Sequence, residues 1–281
     1  MEKRIRSEIH RFVMESPLNR FPDSEDPYFD EPLVGFAAAD DQLFTDYKTI
    51  IGNFHRTPQE VMTSVLGGNF IAASVISWIL PITRRTRETN RHETVYPSRS
   101  WAETRNFGEQ LNAALRRYLV TWLETQEQRG VAPQLAPDWK EFSSTPVGIA
   151  SSWSERHAAY AAGLGTFSLN DALITPKGIA HRCGSVVTDM PLTPTPRPYQ
   201  DFRHNCLFYR EQSCGICISR CPVGALSKNG HDKANCSQYV YRTIIDAVAF
   251  SYGVTATGCG LCQTKVPCEG QIPPGSKINP R

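Results

Sequence analysis

Nine cysteines occur in the chain, and the first of them is Cys183. The other eight lie between Cys206 and Cys268, and Cys214-Gly-Ile-Cys217-Ile-Ser-Arg-Cys221-Pro222 has the spacing C-x2-C-x3-C-P. This is most of the run with which bacterial two-cluster proteins bind [4Fe–4S] centres. A C-x2-C loop turns two thiolates toward one cuboid cluster while backbone N–H groups face its sulfurs. The cysteine before proline begins a helix that faces the other way, so it serves a second cluster. The crossed pattern expects Cys206, Cys214, Cys217 and Cys268 at one cluster, and Cys221, Cys236, Cys259 and Cys262 at the other. Two spacings depart from the regular run: seven residues separate Cys206 from Cys214, and five separate Cys262 from Cys268. Two tetrahedral zinc sites are the alternative, because C-x2-C pairs serve zinc as well. In a reducing compartment, clustering of this kind favours metal or redox chemistry over a disulfide scaffold.

Proton chemistry has its own candidates. His157 and Tyr160 are three residues apart and share a face of a helix expected from Trp153 to Ala162, where either can deliver a proton. Packing and hydrogen bonding within the core account for the pair equally well. Ser152-Trp-Ser-Glu155 fits a capping box, which gives Glu155 a structural task, and Gly163 supplies the left-handed stop. Arg156 and Arg182 are suited to a carboxylate or a cofactor phosphate, or to solvent. Cys183 reads as a buried thiol, with a reactive site as the alternative.

The elements that position these groups are those of an ordinary globular chain. It has 281 residues, 40% hydrophobic and 21% charged, with a formal net charge of +2. A largely disordered or collagenous chain is excluded, and binding to nucleic acid through bulk charge is disfavoured. The apolar run from Phe70 to Ile82 is too short for a membrane span, and no signal peptide is seen, so a cytoplasmic protein with no membrane partner is expected. Ile71 to Leu80 reads as a buried strand. The charged stretch from Arg84 to Arg99 reads as an exposed loop, a docking site for an acidic donor or simply solvated. From Trp101, Phe107, Leu111, Leu115, Tyr118 and Trp122 recur at helical spacing, with Leu119 and Leu123 beside them and Arg116 and Arg117 off the stripe. Leu173-Ile174 and Gly184–Thr188 read as short strands. No G-x-G-x-x-G or P-loop motif is present.

Ser154-Glu-Arg-His-Ala-Ala-Tyr-Ala-Ala-Gly-Leu-Gly165, Thr188-Asp-Met-Pro-Leu192 and the cysteine module together resemble the epoxyqueuosine reductase-like family, which is related to reductive dehalogenases. The resemblance covers about residues 70–270. It implies an α/β (α+β) N-terminal domain fused to a C-terminal ferredoxin-like double [4Fe–4S] domain. The domains expected are residues 1–190 for substrate and corrinoid, a proline-rich linker at 191–199, and 200–281 for the clusters. Two [4Fe–4S] clusters and cobalamin are the implied cofactors, with Gly163, Leu164, Gly165, Thr166 and Asn170 near the corrinoid and His157 or Tyr160 as proton donor. A low-potential donor of the ferredoxin or flavodoxin type and a small electrophilic substrate are the implied partners. Ile149 stands where the family has an acid, and Asn106-Phe107-Gly108 replaces its D-Y-H motif. No helical-repeat extension for tRNA follows the cysteines. A divergent paralogue with a small substrate rather than a nucleic acid is therefore expected, or else a non-catalytic electron-transfer protein whose α/β part is a docking platform.

Overall fold

The computed structural model describes residues 1–275. Residues 276–281, the end of the expected cysteine module, lie outside the described residues. The chain forms two compact units, each assembled from three stretches.

The first unit comprises Met1–Leu80, Gly108–Leu164 and Arg182–Pro198. Its centre is a four-stranded sheet in the order Leu33–Ala38, Ser74–Pro81, His181–Thr188, Gly130–Val131. Strand Leu33–Ala38 runs antiparallel to Ser74–Pro81, with Leu33 opposite Ile79 and Ala38 opposite Ser74. Every residue of Ser74–Pro81 is buried, as a continuous apolar run in an inner strand requires. It starts three residues later than the sequence suggests, and Ile71 is exposed. Helix α1, Glu2–Glu15, buries Ile5, Ile9 and Val13 at four-residue spacing. Helices α2, Gln42–Ile50, and α3, Pro58–Leu66, follow the first strand; a complete Thr57/Glu60 capping box starts α3.

The proline-rich residues belong to this unit and are bonded to it. Leu192 N donates to Ser74 Oγ at 2.9 Å, Thr195 N to Phe36 O at 2.9 Å, and Phe36 N to Thr195 Oγ1 at 3.0 Å. They cover backbone groups that strand Leu33–Ala38 would otherwise expose.

Of the remaining helices, α4 is Arg84–His92, α5 is Arg99–Glu124 and α6 is Glu155–Ala161. Residues 84–92 were expected as a loop, and the structure corrects this. The Thr83 side chain caps α4 by accepting from Thr86 N. A helix polar all round gives no apolar period to read, and its buried side is Thr86 and Asn90, which bond rather than pack. In α5 the buried spine is Leu111, Leu115, Leu119 and Leu123. Tyr118 and Trp122 lie at its margin, Tyr118 stacking on Phe12 with ring centroids 4.7 Å apart. Helix α6 is shorter than expected. Its N-cap is Ser154 with no side-chain cap bond, so the capping box of Ser152 and Glu155 is not formed. Its end matches the expectation: Gly163 has φ +73°, Gly163 N donates to Tyr160 O, and Leu164 N donates to Ala159 O.

The second unit comprises Pro81–Phe107, Gly165–His181 and the chain from Tyr199 onward. Its elements are short: hairpin strands Thr166–Phe167 and Leu173–Ile174, helices Leu207–Glu211 and Ile216–Ser219, and a helical run from Lys233 to Tyr252 with wide turns over Tyr239–Thr243 and Ile245–Ala249. Its apolar clusters are small, for example Leu169, Ala172, Ile174, Ile179, Cys206 and Val266. The architecture is mixed α/β. Among the described residues, no helix is long and apolar enough to cross a membrane.

Gly35, in the first strand, faces the carbonyl of Ala162 so closely that a methyl group there would overlap it. Backbone cannot swing aside, so Gly35→Ala should lower unfolding stability by about 1–3 kcal/mol. Gly68 has open space and serves as control. Denaturant midpoints of Gly35→Ala and Gly68→Ala check this: equal midpoints would refute the contact.

Candidate metal centre

In the second unit, Cys206, Cys214, Cys217 and Cys268 line one cavity together with Asn170 and Phe208. It encloses about 380 Å³ of empty space, part of it open to solvent. Cys206 is the N-cap of Leu207–Glu211, and Gln212 closes that helix in the left-handed conformation with φ 53°. The long spacing from Cys206 to Cys214 is thus taken up by one helical turn. Cys268 is held through its backbone, whose carbonyl accepts from Ile179 N at 2.9 Å. The next residue, Glu269, is buried; its carboxylate accepts from Arg91 Nε at 2.9 and 3.0 Å and from Lys265 N at 2.6 Å.

Burial pushes Cys217 up to about 12, and Cys206 and Cys214 add to the shift. Burial also raises Cys268, with Cys206, Cys217 and Cys214 adding. Cys259 is pushed up to about 12 by burial, with Cys236 and Cys221 adding. Cys262 is raised by burial, then by Cys259 and Cys236, and more weakly by Cys217. Cys217 and Cys268 thus feel Cys206 and Cys214, and Cys259 and Cys262 feel Cys236, with Cys217 reaching Cys262 as well. Among the described residues, no three His, Cys, Asp or Glu side chains converge as a single-ion site.

Side chains hold the loops of the second set. Asn170 Nδ2 donates to Cys262 O at 3.1 Å and Asn90 Nδ2 to Cys259 O at 3.4 Å. Ala225 N donates to Cys221 Sγ at 3.2 Å. Trp101 lies against the backbone at Gly260, which has φ +66° and no room for a Cβ. His231 bonds Asp171 at 3.0 Å and also Cys236.

The first unit carries a polar network that the sequence did not reveal. Arg116, set apart from the apolar stripe of α5, is fully buried. It donates to Glu109 at 2.9 Å, Gln134 at 2.6 Å, Glu155 at 3.1 Å and Cys183 O at 3.3 Å. Ser185 Oγ donates to Glu155 at 2.5 Å, and Arg182 pairs with Glu109. Burial raises the Glu155 carboxyl despite Arg116. The Cys183 thiol is pushed up to about 12 by burial and then by Glu155. Arg156 is exposed.

His157 and Tyr160 lie half-buried on α6. His157 Nδ1 and Ser154 Oγ are hydrogen-bonded at 2.8 Å, and Tyr47 OH donates to His157 O at 3.0 Å. His55 is buried beside them; its Nε2 accepts from Ser154 N at 3.2 Å and its ring stacks on Trp153.

The five residues expected near a corrinoid are engaged within the chain. A Cβ on Gly163 would meet Pro196 O at 2.7 Å, and one on Gly165 would meet Ile174 O at 2.5 Å. Leu164 is buried, and Thr166 Oγ1 accepts from Asn205 N at 2.8 Å. Asn170, besides holding Cys262, accepts from Ser168 Oγ at 2.7 Å. Asn106 accepts from Thr255 N and Ala256 N, each at 3.1 Å.

No family model matches the chain. It is 31% identical over 119 residues to an epoxyqueuosine reductase of Bacillus anthracis, a stretch covering 41% of this chain and 29% of that one. It is 30% identical over 136 residues to one of Staphylococcus aureus (strain NCTC 8325 / PS 47), covering 47% and 33%. The matched stretches thus span about a third of the relatives' lengths. The fold is similar to a selenomethionine-labelled epoxyqueuosine reductase, with TM-score 0.53 at 19% identity over 95% of this chain and 66% of that one. It is also similar to a catabolic reductive dehalogenase, with TM-score 0.52 at 16% identity over 85% and 30%. An epoxyqueuosine reductase solved with an epoxyqueuosine-modified tRNA stem loop has TM-score 0.50 at 19% identity over 95% and 66%.

Burial pushes His55 down from 6.5 to about 4, with Lys48 adding and Glu60 opposing. Between about pH 6.5 and pH 4 the unfolded chain binds the proton and the folded chain does not. Stability therefore falls as pH drops through that window, by up to roughly 3 kcal/mol, and is fully present above it. Unfolding midpoints of the natural protein and His55→Gln at about pH 5 and pH 7.5 check this. The variant should lose part of the acid sensitivity; an identical pH dependence would remove His55 as its source.

Proposed function

We propose that the chain is a two-cluster iron–sulfur reductase of the epoxyqueuosine reductase-like kind, a reading that these likenesses support. One observation carries the reading: Cys206, Cys214, Cys217 and Cys268, the four that the spacing assigns to one cluster, line a single cavity. A thiol-lined cavity in a ferredoxin-like part fits a [4Fe–4S] cluster in donor chemistry and number. Cys206, Cys214, Cys217 and Cys268 would hold one cluster, and Cys221, Cys236, Cys259 and Cys262 the other. When bound, such clusters supply one-electron transfer.

The chain's own residues do the rest. Asn90, Asn170 and Glu269 fix the backbone of the cysteine loops. Electrons enter from a low-potential donor of the ferredoxin or flavodoxin type. The substrate is a small electrophile whose reduction consumes protons. His157 and Tyr160, on one face of α6, are the groups proposed to supply them. The residues expected near a corrinoid spend their polar groups and their free space on the chain itself. They do not fit that cofactor.

Anaerobically purified protein should hold about eight irons per chain, four in each cubane. Cys217→Ser and Cys221→Ser should each lose about four, and the two residual spectra should differ. Zinc in place of iron would overturn the reading. Iron-loaded protein reduced by dithionite should be reoxidised by an epoxide or organohalide, or by a modified tRNA stem loop, with product formed. Reoxidation by electron carriers alone would make the chain an electron-transfer protein with a docking platform. Stoichiometric binding of added cobalamin would restore the corrinoid expectation.

A further inference from the structure

Arg220 stands between two cysteines of the proposed ligand run, Cys217 and Cys221. Its guanidinium is half-buried and makes five hydrogen bonds. Nε donates to Leu261 O and Thr264 O, both at 3.1 Å. One terminal nitrogen donates to Glu93 O at 2.9 Å. The other donates to Asn90 O at 3.2 Å and Thr264 Oγ1 at 3.4 Å. Every acceptor is neutral. Arg84, Arg91, Arg99 and Arg210 in the same unit each have a carboxylate partner. Among the described residues, none pairs with Arg220.

A guanidinium does not deprotonate inside a protein. Arg220 therefore holds a full positive charge in a partly desolvated place, which is costly unless an anion offsets it. The groups its charge reaches point to that anion. The carbonyls it grips, Leu261 and Thr264, flank Cys262, and Cys221 follows Arg220 directly in the chain. The guanidinium is thus built into the loop of the second cysteine set and supplies the charge that its thiolates would meet.

We propose that Arg220 is the fixed counter-charge of the cluster held by Cys221, Cys236, Cys259 and Cys262, and that it raises the reduction potential of that cluster selectively. The proposal rests on the two-cluster reading. Reduction brings one electron from the external donor, which is oxidised, and adds one negative charge in the field of the guanidinium; no bond forms or breaks. Net charge and hydrogen bonding around a cluster are established determinants of its potential.

The test is a potentiometric titration of the full, iron-loaded chain followed by electron paramagnetic resonance. Arg220→Gln should shift one midpoint downward and leave the other in place. The shifted cluster's reduction equilibrium should fall about tenfold, which is about 59 mV for one electron. Arg220→Lys keeps the charge and should restore most of the shift. If Arg220→Gln fails to load iron, Asn90→Asp takes its place. Asn90 Nδ2 already donates to Thr264 Oγ1 at 3.2 Å, so a carboxylate there would sit beside the guanidinium and should lower the same midpoint. Unchanged midpoints in a fully loaded variant would overturn the proposal. So would a shift as large in Arg220→Lys as in Arg220→Gln, or loss of iron from Arg220→Lys, because either makes geometry rather than charge the requirement. A natural protein without about eight irons would instead overturn the two-cluster reading itself.

Discussion

Eight thiols crowded into one compact unit set the terms for everything around them. Burial and their mutual influence raise Cys217, Cys259, Cys262 and Cys268 alike, so holding them as thiolates calls for positive charge beside them. Loops that present cysteines inward cannot also present a continuous apolar face. The unit compensates with side chains bonded to loop carbonyls: Arg220 to Leu261 and Thr264, Asn90 to Cys259, Asn170 to Cys262. Each such bond contributes about 0.5–1.5 kcal/mol net. Together they replace part of a hydrophobic core, which here is broken into small clusters.

The same constraint explains α4. Its composition would make a poor helix on apolar grounds, yet it supplies Asn90 to Cys259 and Arg91 to Glu269, and its C-cap Glu93 offers its carbonyl to Arg220. Its stability is drawn from those partners and from the Thr83 cap. The first unit follows the opposite rule. Its inner strand is buried throughout and its helices contribute aliphatic ridges, with an ionic network around Arg116 inside. Removing one partner there would leave a charge stranded, which is far more costly than the pair is stabilising. This makes Arg116, Glu155 and Ser185 a rigid brace under α6.

What could be read from the residues follows from this division. Cluster chemistry imposes ligand number and crossing on the spacing, and four of the cysteines so read, Cys206, Cys214, Cys217 and Cys268, line one cavity. The long helix was legible from its period, and the end of α6 from Gly163. The start of α6 was not, because Glu155 had a local use in the pattern and a distant one in the fold, with Arg116 and Ser185. Arg116, off the apolar stripe, gave no sign of burial because its partners come from four separate stretches. The bonds of Thr166 to Asn205 and of Asn170 to Cys262 span 39 and 92 residues, a distance at which spacing carries no signal.

The two irregular spacings have a local explanation. Both fall in the set of Cys206, Cys214, Cys217 and Cys268, yet all four thiols line the same cavity. Between Cys206 and Cys214 the added residues coil into Leu207–Glu211 and end at left-handed Gln212. Between Cys262 and Cys268 the chain passes through Lys265 at φ +59°, whose N–H is captured by Glu269. A helical turn and a carboxylate clamp each absorb length without moving the ends of the loop. Spacing in such modules is therefore a constraint on where thiols arrive rather than on how many residues lie between them. A departure from the regular run argues against a cluster site only when nothing in the intervening chain can take up the slack.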